Sequence, residues 1–315
     1  MENFLTVARQ VWMLFALIGV GALCRRMRLV DEAASRGFVN VLFYFVTPCL
    51  IVHVFQRPFD AAMMRQLGLA FAVACFAHVL AIALARLTVR RRDAGAAPVL
   101  KLATAFSNAG FMGIPLEQAV LGDKGVFFGI VYVAVFNLFI WSWGLRVMRG
   151  GERVPALRSM VANPGTIGLV AGLPFFLMSV KLPEALAEPV SMVAGMNTPL
   201  AMIVIGYYLA GTNVFKALCA PGALTASAAR LVVHPLLLVA ALWPLRNLLD
   251  REMMLALVTA SSAPVAAMVA MFAAKCHRDV ELGVGLVSGT TLASIVTMPA
   301  VIALAMAVLG GEPHG

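Results

Sequence analysis

Ten apolar segments, each long enough to cross a bilayer, constrain the fold of this chain more than any other feature. Their approximate bounds are 5–24, 37–55, 66–88, 98–121, 125–147, 163–181, 189–211, 230–248, 253–274 and 282–309. A helix needs about 20 apolar residues to span the hydrocarbon core, and lipid admits only helices and closed barrels. The sequence therefore predicts an all-α membrane protein with ten transmembrane helices.

The composition and the charge distribution support a membrane protein. Hydrophobic residues make up 62% of the 315 residues and charged residues 12%, whereas soluble domains have about 45–50% and about 25%. The net charge of +9 could indicate nucleic acid, but the basic residues are scattered in short loops between apolar segments. We therefore expect the lipid bilayer, and no nucleic acid, as a partner.

Most of the 24 Lys and Arg residues fall in the loops after segments one, three, five, seven and nine. Loops rich in Lys and Arg usually face the cytoplasm. This distribution predicts an integral membrane protein with both termini on the outer side. An even number of spans agrees with that orientation.

The two halves of the chain contain short matches at nearly equal spacing. The matches are Thr47-Pro48 with Thr198-Pro199, Glu32-Ala33 with Glu184-Ala185, and Pro115 with Pro264. Each half holds five segments, so the second would enter the membrane from the opposite face, as in many secondary transporters. We expect a first repeat in residues 1–148, a cytoplasmic linker in 149–162 and an inverted second repeat in 163–311.

Segments four and nine carry helix-breaking residues near their middles. Segment four contains Asn108, Gly110, Gly113 and Pro115, and segment nine contains Thr259 to Ala267 with Pro264 at its centre. Proline removes a backbone donor, and glycine loosens a helix. Each segment is either a kinked helix repaired by its neighbours or a helix broken at mid-membrane. In the second case the outgoing half-helices would begin near Gly113–Pro115 and near Pro264.

Two half-helix N-termini meeting at mid-membrane would favour an anion, because helix N-termini carry free N–H groups and partial positive charge. The Asn108 amide and the Ser261 and Ser262 hydroxyls could donate to a small carboxylate. Asn137 either lines the site or makes a packing hydrogen bond. The complete set of candidate substrate-binding residues is Asn108, Gly110, Met112, Gly113, Pro115, Asn137, Ser261, Ser262 and Pro264.

Other polar residues of the apolar segments have simpler explanations. His78 and His234 are expected to be hydrogen-bonded packing residues, Glu117 to face the outer vestibule, and Arg230 to belong to the cytoplasmic face. No Asp lies in the middle of a segment, which disfavours a dedicated cation exchanger. The sequence contains no recognisable catalytic motif and no cluster of cysteines or histidines. We therefore expect no enzymatic activity, no metal site and no cofactor.

The stretch from Asn108 to Leu116 resembles the signature of the auxin efflux carrier family, which includes bacterial relatives of the plant PIN transporters. Phe43 to Leu50, Asn163-Pro164 and Thr198 to Ala201 resemble other parts of that family. The resemblance implies helices four and nine crossing at their prolines, a scaffold of helices one, two, six and seven, and often a dimer. It also implies malate, malonate or an auxin-like acid as substrate, with Asn108 and the prolines at the site.

The sequence thus predicts a secondary active or facilitative transporter of a small organic anion that works by alternating access. Coupling to protons or sodium stays open, and a homodimer is expected. The alternatives are a sodium-coupled symporter of the bile acid type and a membrane sensor that binds an anion without moving it.

Overall fold

The computed structural model describes residues 2–89, 95–151, 164–211 and 220–310. These ranges are helical, with no β-strand beyond one isolated bridge. The helices are α1 (Glu2–Arg26), α2 (Glu32–Phe55), α3 (Ala61–Thr88), α4 (Ala96–Ala105), α5 (Ala109–Met148), α6 (Pro164–Leu177), α7 (Glu184–Leu209), α8 (Ala223–Leu245), α9 (Arg251–Ser262), α10 (Ala267–Lys275) and α11 (Val280–Leu309). The prediction of an all-α membrane protein is confirmed at this level.

Six of the described helices are long and apolar enough to cross a bilayer: α2, α3, α5, α7, α8 and α11. In α5, 72% of the apolar window is buried inside the protein, against 33–44% in the other five. Helix α5 is therefore the central helix, and the others keep a face free for lipid. The ten-helix arrangement with an inverted repeat stays a prediction, and most of the 149–162 linker lies outside the described residues.

Aspartate side chains fix where several helices begin. Asp31, Asp60, Asp250 and Asp279 each accept a hydrogen bond from a backbone N–H in the first turn of α2, α3, α9 and α11. Capping of this kind satisfies donors that the helix itself leaves free and is worth about 1 kcal/mol. The aspartate that precedes each of these helices thus determines where the helix begins.

Helices α1 and α7 cross in close backbone contact. A Cβ atom added to Gly21 would overlap the carbonyl of Ile203, and one added to Gly206 would overlap the carbonyl of Ile18. Small residues allow such approach between membrane helices. Arg25 strengthens one end of the pair, because its guanidinium donates to the Tyr207 carbonyl at 3.1 Å. The two helices therefore form a tightly joined pair.

Helix α5 contains the second half of predicted segment four and all of segment five. Its helical geometry is interrupted at Gly122, where φ is 66° and ψ is −159°. Only glycine adopts this conformation without strain. The gap expected between segments four and five, at residues 122–124, is thus a glycine break within one long element.

Candidate functional site

Predicted segments four and nine are both interrupted. Helix α4 ends at Ala105 and α5 begins at Ala109, while α9 ends at Ser262 and α10 begins at Ala267. The residues that flank the gaps are extended: Phe106 has φ −114° and ψ 118°, and Ala263 has φ −60° and ψ 150°. Both segments are therefore broken helices and not merely kinked ones.

The two gaps pair with each other as a short antiparallel contact between Phe106–Asn108 and Pro264–Ala266, which we call the crossing. Ser107 lies opposite Val265. The Asn108 N–H donates to the Pro264 carbonyl at 2.7 Å, and the Ala266 N–H donates to the Phe106 carbonyl at 3.0 Å. The pairing satisfies backbone groups that the breaks release, as burial requires.

The two prolines do not occupy equivalent places, which corrects the expected position of the first half-helix. Pro264 lies in the crossing, but Pro115 lies inside α5, two residues after the π-helical stretch Ala109–Gly113. A wider π-helical turn accommodates the proline ring and its missing donor. The half-helix therefore begins at Ala109 and not near Gly113–Pro115, and the Pro115–Pro264 match does not align the two breaks.

Two helix N-termini, those of α5 and α10, start at the crossing. The carbonyl oxygen of Asn108 accepts from the N–H groups of Met112 at 3.0 Å and Gly113 at 3.2 Å, which begins the hydrogen-bond ladder of α5. The first N–H groups of each helix are left without an intrahelical partner. The crossing therefore presents two sources of partial positive charge.

Arg230 of α8 lies beside the crossing and is fully buried. Its Nη1 lies 3.2 Å from the Ala105 carbonyl and 3.4 Å from the Thr104 carbonyl, and its Nη2 donates to the Ser261 carbonyl. The guanidinium thus binds the C-terminal carbonyls of both α4 and α9, where helix dipoles place negative charge. The expectation that Arg230 belongs to the cytoplasmic face is wrong.

Two buried histidines support this arrangement. Nη2 of Arg230 lies 2.6 Å from Nδ1 of His234, whose Nε2 lies 2.9 Å from the Ala77 carbonyl. His78 bonds the Ala74 carbonyl at 2.8 Å through Nδ1 and stacks on Phe139 with ring centroids 5.4 Å apart. Both histidines are hydrogen-bonded packing residues, as the sequence predicts.

Asn108 is buried beside the crossing, whereas Gly110, two residues later, is exposed. The Asn108 side chain does not cap α5, and within the described residues its amide makes no hydrogen bond. A Cβ atom added to Gly110 would have no neighbour within 4 Å, whereas one added to Gly113 would lie 3.3 Å from Cα of Ala260. Gly113 therefore allows α5 to approach α9, and Asn108 keeps free donors.

The other candidate residues have different surroundings. The Ser261 and Ser262 hydroxyls each donate within α9, to the Val258 and Thr259 carbonyls at 2.9 Å. The Asn137 amide donates to the Val133 carbonyl at 2.9 Å, one turn earlier in its own helix. Met112 is buried in an apolar cluster that includes residues of α1 and α7. Asn108, Pro264 and the Ser261 carbonyl are thus brought together, whereas the Asn137 side chain, among the described residues, is hydrogen-bonded only within its own helix.

Known proteins resemble both halves of the chain. Residues 6–155 match the family model described as membrane transport protein, and residues 199–314 match that of the sodium bile acid symporter family. An uncharacterized transporter of Methanothermobacter thermautotrophicus is 26% identical over 302 residues, which cover 94% of this chain and 97% of the relative. The resemblance to the auxin efflux carrier family is confirmed. The protein is a membrane transporter.

Glu117 of the transporter is fully buried, so the expectation that it faces an outer vestibule is wrong. Neither carboxyl oxygen has a hydrogen-bond partner among the described residues. A Cβ atom on Gly129 would overlap the carboxyl group, and one on Gly113 would lie 3.7 Å from Oε1. Glu117 therefore occupies a slot between Gly113 and Gly129. The sequence does not predict this slot, because it does not show that Gly129 packs against Glu117.

A cavity of about 350 Å³ opens near the Gly122 break of the transporter. Lys124 forms ion pairs there with Asp250 at 2.9 Å and with Glu252 at 2.7 Å. The complete lining is Leu121, Lys124, Asp250, Arg251, Glu252, Leu255 and Met306. The cavity is thus separate from the crossing, and within the described residues no group of three His, Cys, Asp or Glu could hold a metal ion.

Proposed function

We propose that the transporter moves a small organic anion, such as malate, malonate or an auxin-like acid, by secondary active or facilitative alternating access. The observation that carries the proposal is the antiparallel contact at which the N-termini of α5 and α10 both start. Pairs of discontinuous helices whose N-terminal ends meet are a common way to bind anionic substrates within a membrane.

The electrostatics of the crossing favour an anion over a cation. Helix C-termini carry partial negative charge, and here both C-termini, those of α4 and α9, are bound by the Arg230 guanidinium. The first turn of α5 and the first turn of α10 contain no acidic residue. The N-termini of α5 and α10 therefore contribute a positive electrostatic potential beside the crossing.

Asn108 is the side chain best placed to orient the anion. Its amide is free of hydrogen bonds to described residues, and Gly110, two residues later, is exposed with open space where a side chain would begin. An amide N–H can donate to a carboxylate without adding charge. We assign the Asn108 amide, the Gly110 edge and the first N–H groups of α5 to the substrate, with Gly113, Pro115 and Pro264 shaping the backbone.

Alternating access would move the crossing and its supporting helices against a scaffold of α1, α2, α6 and α7. Met112 packs in one apolar cluster with Leu14 and Ile18 of α1 and Met202 of α7. Apolar contacts without directional hydrogen bonds suit a sliding surface. In this proposal the ten predicted spans form two inverted sets of five, and the protein is a homodimer in the bacterial inner membrane.

A sodium-coupled symporter is the second candidate, because residues 199–314 match the sodium bile acid symporter family. In transporters with broken helices, half-helix carbonyl ends coordinate the coupling sodium. Here the corresponding carbonyls of Ala105 and Ser261 are bound by Arg230. This occupancy favours an anion transporter without sodium at the crossing.

The test is uptake of a panel of labelled carboxylates into proteoliposomes that contain wild type, Asn108→Ala or Asn247→Ala. Asn247 is an exposed asparagine after α8 and serves as the matched control. We expect Asn108→Ala to lose most of the uptake and Asn247→Ala to retain it. Unchanged uptake of every carboxylate by folded Asn108→Ala would contradict the site, and tight binding without flux would indicate a sensor.

A further inference from the structure

The buried carboxyl group of Glu117 is a titratable group that anion binding does not use. It lies in α5, and within the described residues neither oxygen has a hydrogen-bond partner. A charged carboxylate without a partner is costly away from water, so such a group takes up a proton. Ionisable residues inside a membrane span usually serve proton or ion pathways.

The position of Glu117 connects two functional regions. Leu121, one helical turn further along α5, lines the cavity whose rim holds the Lys124 ion pairs. Towards the crossing, Gly113 lies one turn earlier on α5, and a Cβ atom there would be 3.7 Å from Oε1 of Glu117. Glu117 therefore lies between a polar cavity and the crossing.

The Gly122 break gives this carboxyl group a way to become exposed. Glu117 precedes the break, whereas Gly129, which closes its slot, follows the break. A change in the bend at Gly122 would separate the carboxyl group from Gly129 and open it towards the cavity. The slot and the break together thus form a device that can alternately bury and expose one acid.

The other titratable groups around Glu117 are already engaged or distant. On α5 they are Tyr132, Asp123 and Lys124. Asp123 accepts a hydrogen bond from Gln118, and Lys124 is paired with Asp250 and with Glu252 of α9. On α3 and α8 they are His78, Arg230 and His234, which bond backbone carbonyls near the crossing. None of them makes an ion pair or a hydrogen bond with Glu117 among the described residues.

We propose that Glu117 carries the proton that this transporter moves together with its organic anion. The carboxylate binds a proton from the cavity side, crosses as the neutral acid and releases the proton on the other side, which restores the carboxylate. Transport of one proton with a monovalent anion moves no net charge across the membrane. With a divalent anion, one net negative charge crosses in each cycle. The inference rests on the proposed function and names its coupling ion.

The test compares wild type, Glu117→Gln and Glu188→Gln in proteoliposomes that contain a pH-sensitive dye. Gln keeps the size of the side chain but cannot carry a proton, and Glu188 is an exposed glutamate of α7 that serves as control. With malate as probe, we expect an imposed proton gradient to accelerate uptake and malate to drive proton entry in wild type and Glu188→Gln. Glu117→Gln should lose both effects but retain malate exchange at equal pH on the two sides.

Full proton coupling in folded Glu117→Gln would overturn the proposal. If wild type moves no malate, the proposed function fails for that substrate, and infrared spectroscopy of the lipid-embedded protein then decides the role of Glu117. A carboxylic acid band that changes with pH and is absent from Glu117→Gln would support proton carriage. A band that does not respond to pH, or no such band, would overturn it.

Discussion

The backbone N–H of Asn108 donates to the carbonyl oxygen of Pro264 at 2.7 Å, and this bond joins two helices that are each interrupted. Its partner bond, from Ala266 to Phe106, closes the same contact at 3.0 Å. The two half-helix N-termini are thereby held together by main-chain groups, while Arg230 holds the two C-termini.

Gly113 sets the distance between α5 and α9. A Cβ atom there would lie 3.3 Å from Cα of Ala260. The branched side chain of Gly113→Val would therefore force the two helices apart, at a cost of about 1–3 kcal/mol. We expect a lower melting temperature in detergent and impaired transport. Gly110→Ala, where the added methyl meets open space, should leave the melting temperature unchanged, and equal melting of both variants would contradict the assigned contact.

Arg230 should be essential to the fold of the crossing. In Arg230→Met the carbonyls of Ala105 and Ser261 lose their donor, and each buried acceptor left unpaired costs about 1–3 kcal/mol. We expect a large fall in melting temperature and a partial recovery in Arg230→Lys, whose single ammonium group cannot span both helix ends. Arg36→Met removes an exposed arginine paired with Glu32 and is the control; an equally small effect at both positions would argue against the role of Arg230.

Sodium should not drive transport. The carbonyl groups that could coordinate sodium at the crossing are bound by a guanidinium. We expect the same initial rate of malate uptake whether the external cation is sodium, potassium or choline. A clear stimulation by sodium, abolished when the gradient is reversed, would favour a bile acid type of symport.

Substitutions of Gly129 and Glu117 should have non-additive effects on the melting temperature. An added methyl group in Gly129→Ala overlaps the Glu117 carboxyl group, so this variant should unfold at a lower temperature. Shortening the acid in Glu117→Ala/Gly129→Ala makes room for the methyl group, and we expect the double variant to be more stable than the sum of the single effects predicts. Strict additivity of the melting shifts would show that the two residues do not share the slot.

Much of the helical pattern could be predicted from the sequence, because a membrane helix requires a long apolar run. The helix interruptions near Asn108 and Pro264 were also predictable, since Gly and Pro weaken the backbone ladder there. The exact start of the first half-helix was not, because a π-helical stretch accommodates Pro115 within α5.

The two buried charged side chains escaped prediction for a different reason. Arg230 stands at the first position of apolar segment 230–248, but α8 begins at Ala223, so Arg230 lies two turns inside the helix. Glu117 is only nine residues from Asn108, yet its burial depends on Gly129, which belongs to a different predicted segment. Hydropathy gives the length of a span but not the partners of the polar residues within it.

The crossing is joined through peptide groups, so the side chains of Ser107 and Val265 do not form its hydrogen bonds. Both side chains are buried, so replacing them would alter the packing around the crossing while leaving its main-chain hydrogen bonds in place. The junction is therefore independent of side-chain identity, and the residues around it can diverge in evolution while the architecture is kept.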